Sequence, residues 1–390
     1  MKILFIFDRK IVPSTGGVQR VTYLLAEEFH RRGEDVSFLS VGPEELNKEA
    51  NPEGYAQTHI SAYSPNFAQR LKEFSDEGNY EVVIFQGADN TVKAALPYFE
   101  GAKKLLVVHN QPFPLTPFER IVKRNTPWNS LKLRGKLLKA LTLVSPSAFR
   151  KLNNRRTASS YLNLAKNLDR IVLLSKRYLP RILEMTPGLP GEKMAAIENP
   201  NTFIVEESPV LKNKENIVLF VGRLSNPQKN VTGFIDVWEK FYKNHPDWQA
   251  LVVGDGEDAE MIKQYLKRKK VKSLSFVPNT PHIMEFYRRA KILCMTSAYE
   301  GWPMVLNEAM AQGCVPVAYD TFEALHDIVK GGKNGLIVPP FDQKMMVKAL
   351  SRLADNPEDW KKMAIAGPES IRSFDIVTIT DKWYELFETL

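Results

Sequence analysis

Two glutamates eight positions apart, Glu300 and Glu308, occur in the run Tyr299-Glu300-Gly301-Trp302-Pro303-Met304-Val305-Leu306-Asn307-Glu308. Pro303 suits the first turn of a helix, Val305, Leu306 and Ala309 give that helix an apolar face, and Gly313 ends it. Glu300 then falls just before a helix N-terminus, and Glu308 lies more than one turn inside. Eight helical residues span about 12 Å, beyond the roughly 5 to 9.5 Å that a glycosidase carboxylate pair needs. The two carboxylates are therefore read as gripping different parts of one extended ligand. A carboxylate accepting from paired hydroxyls suits a sugar ring or a ribose, and amides at the helix start suit a phosphate.

A second cluster supplies positive charge. Val221-Gly222-Arg223-Leu224-Ser225-Asn226-Pro227-Gln228-Lys229-Asn230 runs from an expected strand end into a helix for which Asn230 is the expected N-cap. Arg223 and Lys229 beside a helix start can neutralise a diphosphate; the plainer alternative is a solvated basic loop. Sugar, diphosphate and ribose in sequence describe a nucleotide sugar. His109 closes the apolar run Leu105-Leu106-Val107-Val108, where a functional and a structural histidine are equally reasonable. Gly16-Gly17 at the turn after the first strand offers backbone amides to a phosphate or simply makes a tight turn. Asp255-Gly256-Glu257-Asp258 reads as a turn and an acidic helix start, so no metal site is expected.

Short β-branched runs alternate with helical patterns along the whole chain, which predicts an α/β protein with parallel sheets covered on both faces. Strands are expected at residues 2–7, 36–41, 82–85, 105–109, 170–174 and 195–198, and again at 217–221, 250–253, 274–277, 292–296, 315–319 and 335–338. The Pro-, Asn- and charge-rich stretch 198–216 between these series reads as a linker. Domains are accordingly expected at 1–199 and 200–372, with 373–390 as a terminal helix carrying Trp383, Tyr384, Leu386 and Phe387. A chain of 390 residues suits two domains, and 44% hydrophobic with 25% charged residues excludes a disordered chain. Its two cysteines exclude a disulfide framework and point to a reducing compartment.

Taken together, these motifs resemble the retaining glycosyltransferases of the large E-x7-E family, group 1, known as glycosyltransferase family four. The resemblance rests on Gly16-Gly17, Val-Val-His109-Asn, Val-Gly222-Arg223-Leu with Lys229, Val-Gly254-Asp-Gly256, the glutamate pair in its Gly-Trp-Pro and Asn-Glu-Ala-Met-Ala-Gln-Gly surroundings, and Asn334-Gly335-Leu336-Ile337-Val338, all in the family's order. It implies a GT-B fold, two Rossmann-like doubly wound domains facing a central cleft, with the last helix crossing back to the first. The N-terminal domain would bind the acceptor and the C-terminal domain the nucleotide sugar. By the same resemblance Glu300 touches donor-sugar hydroxyls, Glu308 holds the ribose, and Arg223 and Lys229 stabilise the departing diphosphate. His109 sits beside the donor sugar, and Gly16 and Gly17 lie near its phosphates. Gly222, Gly254, Gly301, Trp302, Pro303, Met304, Val305 and Leu306 complete the donor surface. Two departures stand out: no glycine follows Lys229, and Pro303-Met304 replaces a glycine and a small residue, which changes the expected shape of the sugar pocket.

The expected reaction is transfer of a hexosyl unit, with retention and without metal or cofactor, to a saccharide acceptor during surface polysaccharide assembly. A nucleotide-sugar epimerase or hydrolase on the same fold, and a noncatalytic lipid- or nucleic-acid-binding scaffold, are the alternatives. Of the net +8 charge, residues 118–168 carry +11, leaving the rest near neutral. Within them Lys132, Lys136 and Lys139 share a helical face opposite leucines, and Trp128 precedes them, a pattern that suits an anionic membrane surface. A lipid-linked acceptor is favoured on that ground. Nucleic acid is not expected as a partner, since aromatic interleaving is missing. The first strand begins too early for a signal peptide and no apolar run is long enough to span a bilayer, so the expected location is cytoplasmic, peripheral at the inner face of the cell membrane.

Overall fold

The computed structural model describes residues 1–47, 55, 57–88, 90–113, 136, 140, 144–205 and 211–390. Two compact units emerge, one formed by Met1–Phe113, Arg156–Thr202 and Ser373–Leu390, the other built on Phe203–Arg372.

The first unit holds a sheet of β1 (Lys2–Phe7), β2 (Asp35–Ser40), β3 (Gln57–His59), β4 (Val82–Gln86), β5 (Lys103–Val108), β6 (Arg170–Leu173) and β7 (Met194–Ala196). Its order is β3-β2-β1-β4-β5-β6-β7, and every neighbouring pair is parallel. The central strands are continuous apolar runs because both faces are covered: Ile3, Leu4, Phe5 and Ile6 are fully buried, and so are Val83, Ile84 and Phe85. The chain order reverses between β1 and β4, which places a ligand crevice beyond the carboxyl ends of those strands. The helix Gly17–Arg31 leaves β1 there, turning Val21, Leu25 and Phe29 inward.

Residues 373–390 are part of this unit. The helix Ile376–Phe387 begins at Asp375, whose carboxylate accepts from the Thr378 amide at 3.0 Å. Phe29 packs against Tyr384 and Phe387 with ring centroids 5.8 Å away in each case. Polar ties surround that aromatic contact: Arg32 to Asp381 at 2.6 Å, Lys382 to Glu198 at 2.7 Å, and the Tyr384 hydroxyl donating to Glu34 at 2.7 Å.

The second unit repeats the plan with β8 (Glu215–Val221), β9 (Gln249–Val253), β10 (Leu274–Val277), β11 (Ala290–Met295), β12 (Val315–Tyr319) and β13 (Leu336–Val338), ordered β10-β9-β8-β11-β12-β13 and parallel throughout. Its core gathers Val218, Phe220, Phe234, Trp238, Phe241, Ile292 and Val317 between the sheet and the helices Val231–Tyr242 and Gln343–Asp355, the latter adding Met346 and Leu350. Here the order reverses between β8 and β11.

Three local expectations change. β3 carries the polar triplet Gln-Thr-His at a sheet edge, so it gives no apolar run to read. Asn230 precedes the helix Val231–Tyr242 in a left-handed conformation (φ 50°), and its side chain donates to the Thr296 carbonyl at 3.3 Å instead of capping the helix. Pro303 occupies the N-cap, so the helix is Met304–Ala311, one residue later than expected. Trp128, Lys132 and Lys139 lie outside the described residues, while Lys136 is helical and exposed.

Candidate active site

The reversal of strand order in the second unit brings together the segments that follow β8 and β11. After β8 the chain passes Gly222 and enters the short helix Asn226–Lys229; after β11 it passes Thr296 and reaches Glu300. Lys229 Nζ donates to Glu300 Oε1 at 2.6 Å, and both side chains are largely shielded, at 17% and 8% exposure. Backbone and side-chain bonds fix this approach. The Ala298 amide donates to the Gln228 carbonyl at 2.7 Å, and the Thr296 hydroxyl lies 3.1 Å from the carbonyls of both Lys229 and Asn230. Asn226 Oδ1 accepts from the Thr232 amide, and the Asn226 amide donates to Asp258 Oδ2 at 2.7 Å.

Glycine is required in the floor of this loop. Gly254, at the end of β9, has φ +145°, and a Cβ there would stand 2.1 Å from the Gly222 carbonyl oxygen. Gly222, at φ +152°, would direct a Cβ toward the Lys229 stem, 3.6 Å away. Gly256 packs so tightly on Leu224 that a Cβ would meet its backbone at 2.7 Å. Arg223 is exposed and donates to Gln228 Oε1 at 3.2 Å. Its charge adds to the hydrogen bonds, led by the one from the residue's own backbone, that hold Glu257 below the ordinary carboxylate range. With Asp258 engaged by the Asn226 amide, the acidic run 255–258 serves the turn, as its sequence suggests.

Glu308 lies inside the helix Met304–Ala311 and is 5% exposed. Its Oε2 accepts from the Tyr287 hydroxyl at 2.8 Å, and Tyr287 is fully buried. Trp302, Pro303 and Met304 line the entry to the same helix as buried residues, with Gly301 buried beside them. Leu306 is fully buried and its amide already donates to the Pro303 carbonyl at 3.1 Å, so it serves the core, whereas Val305 is half-buried. Asn334 is also a structural residue: its side chain donates to the Ile328 carbonyl at 3.0 Å and accepts from the Lys330 amide at 2.7 Å.

In the first unit His109 follows β5, and its Nε2 is 2.5 Å from Oε1 of the buried Gln86, which ends the adjacent β4. Its Nδ1 is buried and has no hydrogen-bond partner among the described residues. Burial pushes the imidazole pKa down to about 4, so the ring is neutral at pH 7 and acts as a hydrogen-bonding group. Gly16 is extended at φ 173°, a conformation open to any residue, and Gly17 opens the 15-residue helix.

Sequence reading missed Gln86 and Tyr287. Gln86 could have been found as the polar end of the apolar run Val82–Phe85. Tyr287 has the pattern of an ordinary core aromatic on the short helix Ile283–Arg289 and gives no such signal.

Residues 203–370 match the family described as glycosyl transferases group 1. The chain is 32% identical over 342 residues to the amylovoran biosynthesis glycosyltransferase AmsD of Erwinia amylovora, covering 82% of this chain and 94% of that relative. It is 28% identical over 378 residues to an uncharacterized glycosyltransferase of Haemophilus influenzae, covering 95% and 96% of the two chains. Its fold is similar to that of HepE from Anabaena in complex with UDP and glucose, with a TM-score of 0.72, 16% identity and full coverage of both chains. The two doubly wound sheets are those of the GT-B fold, and the chain belongs to the group 1 glycosyl transferases and is a glycosyltransferase.

Proposed function

We propose that this glycosyltransferase moves a hexosyl unit from a nucleoside diphosphate sugar to a saccharide acceptor with retention of the anomeric configuration and without a metal ion. The observation that carries the reading is the meeting of Lys229 with Glu300 at the strand-order reversal, with the buried Glu308 in the helix that follows. A diphosphate placed there draws Lys229 and Arg223, Glu300 accepts from sugar hydroxyls, and Glu308 accepts from the ribose. His109 and Gly17, in the first unit, keep the roles the family resemblance implies, contact with the donor sugar and amide donation to the phosphates.

In the step itself, the bond from the anomeric carbon to the diphosphate oxygen breaks while a bond to the acceptor oxygen forms on the same face. The acceptor proton passes to the leaving phosphate. Negative charge grows on that phosphate in the transition state, where two fixed cations are worth most. Their presence is the ground for a metal-free reaction.

The acceptor is proposed to be lipid-linked and the setting surface polysaccharide assembly, at the inner face of the membrane. Two observations support this: the similarity to a relative named for amylovoran biosynthesis, and the basic stretch 118–168. No helix among the described residues is long and apolar enough to cross a membrane.

The test is product analysis with UDP- and GDP-hexoses, with and without saccharide acceptors, after exhaustive chelation. An α-linked product from an α-linked donor in the presence of chelator is expected. An inverted product, or activity recovered only on adding magnesium, contradicts the mechanism. Conversion of the donor with no acceptor present points to an epimerase or hydrolase.

A further inference from the structure

Tyr287 has no part in the chemistry so far, yet it is fully buried with its hydroxyl against a carboxylate that the proposed function needs. The phenol donates to Glu308 Oε2 at 2.8 Å, between the helices Ile283–Arg289 and Met304–Ala311. A carboxylate has about four acceptor positions, and this bond occupies one of them. It restricts how the carboxylate can rotate.

The phenol is itself held from two sides. Its ring meets Phe203 edge to face at 6.4 Å. The Tyr287 carbonyl accepts from Lys214 Nζ at 2.8 Å, and the same ammonium donates to the Ala290 carbonyl at 2.8 Å, where β11 begins. One residue on, Arg288 Nε donates to Gln312 Oε1 at 3.1 Å, a second tie from this helix to the end of the glutamate-bearing one. The backbone carrying the phenol is thus pinned to the sheet, and the phenol is aimed at one oxygen.

We propose that Tyr287 is a positioning residue for donor recognition: it orients the Glu308 carboxylate for a ribose diol. The inference rests on the reading that Glu308 binds ribose. A hydrogen bond to a charged group in a buried setting is strong and directional. Tyr287→Phe removes the bond and keeps the ring.

The experiment measures binding of UDP, GDP, ADP, CDP and 2′-deoxy-UDP, and steady-state transfer, for the full chain, Tyr287→Phe, Glu308→Gln and the double variant. Circular dichroism checks folding. For the ribonucleotide the parent binds best, Tyr287→Phe is expected to raise Kd about tenfold and to leave kcat within about twofold. It should also narrow the preference for ribose over deoxyribose. In the Glu308→Gln background the same change should cost less than about threefold. If Glu308→Gln weakens binding while Tyr287→Phe binds like the parent with an unchanged preference for ribose over deoxyribose, the positioning role is overturned and the ribose reading stands. If Glu308→Gln leaves affinity unchanged, or the parent binds none of the nucleotides, the ribose reading fails and this inference fails with it.

Discussion

Lys229 Nζ and Glu300 Oε1 are 2.6 Å apart, so the cation proposed for the diphosphate and the anion proposed for the sugar are each other's partners. A bound donor would recruit Lys229 to its phosphates and Glu300 to its hydroxyls, replacing one charge-assisted bond by several. Lys229→Ala should lower turnover by about two to three orders of magnitude, the range for losing a fixed stabiliser of transition-state charge. It should also lower the melting temperature, because Glu300 is left buried without this cation. Glu300→Gln should reduce turnover with UDP affinity held or increased, since Lys229 is released to the diphosphate. Steady-state kinetics, calorimetry and melting curves separate these effects; a Glu300→Gln variant with parental turnover removes Glu300 from the reaction.

Arg223 gives a contrasting case. It is exposed and has a 3.2 Å bond to Gln228, so little folding energy depends on it. Arg223→Ala is expected to slow transfer by about two to three orders of magnitude with a melting temperature within about 2 °C of the parent. Near-normal turnover would make it a solvated loop residue.

The carboxyl ends of strands were legible because central parallel strands are buried on both faces and announce themselves as apolar runs, as in Leu105–Val108 before His109 and Ile217–Val221 before Gly222. The order of strands was not legible, and it is the reversal at β8 and β11 that sets Lys229 against Glu300 across 71 positions of chain. The spacing of Glu300 and Glu308 spoke against a glycosidase pair, but the partner of Glu308 comes from a different helix and no periodicity marks it. Asn230 shows the opposite failure. An asparagine before a helix usually caps it, and here a left-handed backbone turns its side chain to Thr296, where it supports the loop carrying Lys229.

Gly254 tests whether the loop floor matters. At φ +145° and with a virtual Cβ 2.1 Å from the Gly222 oxygen, alanine must push apart the ends of β8 and β9. A cost of about 2 to 4 kcal/mol is expected from backbone strain and the clash together. Chemical denaturation measures the cost, and nucleotide affinity should fall with it because the displaced strand end carries Gly222 into Arg223.

The basic stretch makes a separable prediction. If Lys132, Lys136 and Lys139 meet anionic lipid, replacing all three by glutamine should weaken binding to phosphatidylglycerol vesicles, and raising salt should do the same to the parent. Transfer to a short water-soluble acceptor should persist. Parental vesicle binding by the triple variant at every salt concentration would remove the main support for a lipid-linked acceptor.

His109 makes the stability of the first unit depend on acid. Its imidazole has an ordinary value of 6.5 and is pushed down to about 4 by burial, so between these values the unfolded chain binds a proton that the folded chain refuses. Stability therefore rises with pH across that window; it is fully present above pH 6.5 and falls as acid takes the pH down toward 4, by about 3 kcal/mol at most. Gln86, whose oxygen faces Nε2, holds the neutral ring with its proton on that nitrogen and its lone pair on Nδ1. Replacing His109 by glutamine, which has no proton to gain, should flatten the slope. Urea unfolding at pH 7.5, 5.5 and 4.5 is the measurement, and the parent is expected to lose about 2 to 3 kcal/mol more than His109→Gln between the extremes. Parallel losses in the two proteins would mean that the folded imidazole titrates near its ordinary value and is a cation in mild acid.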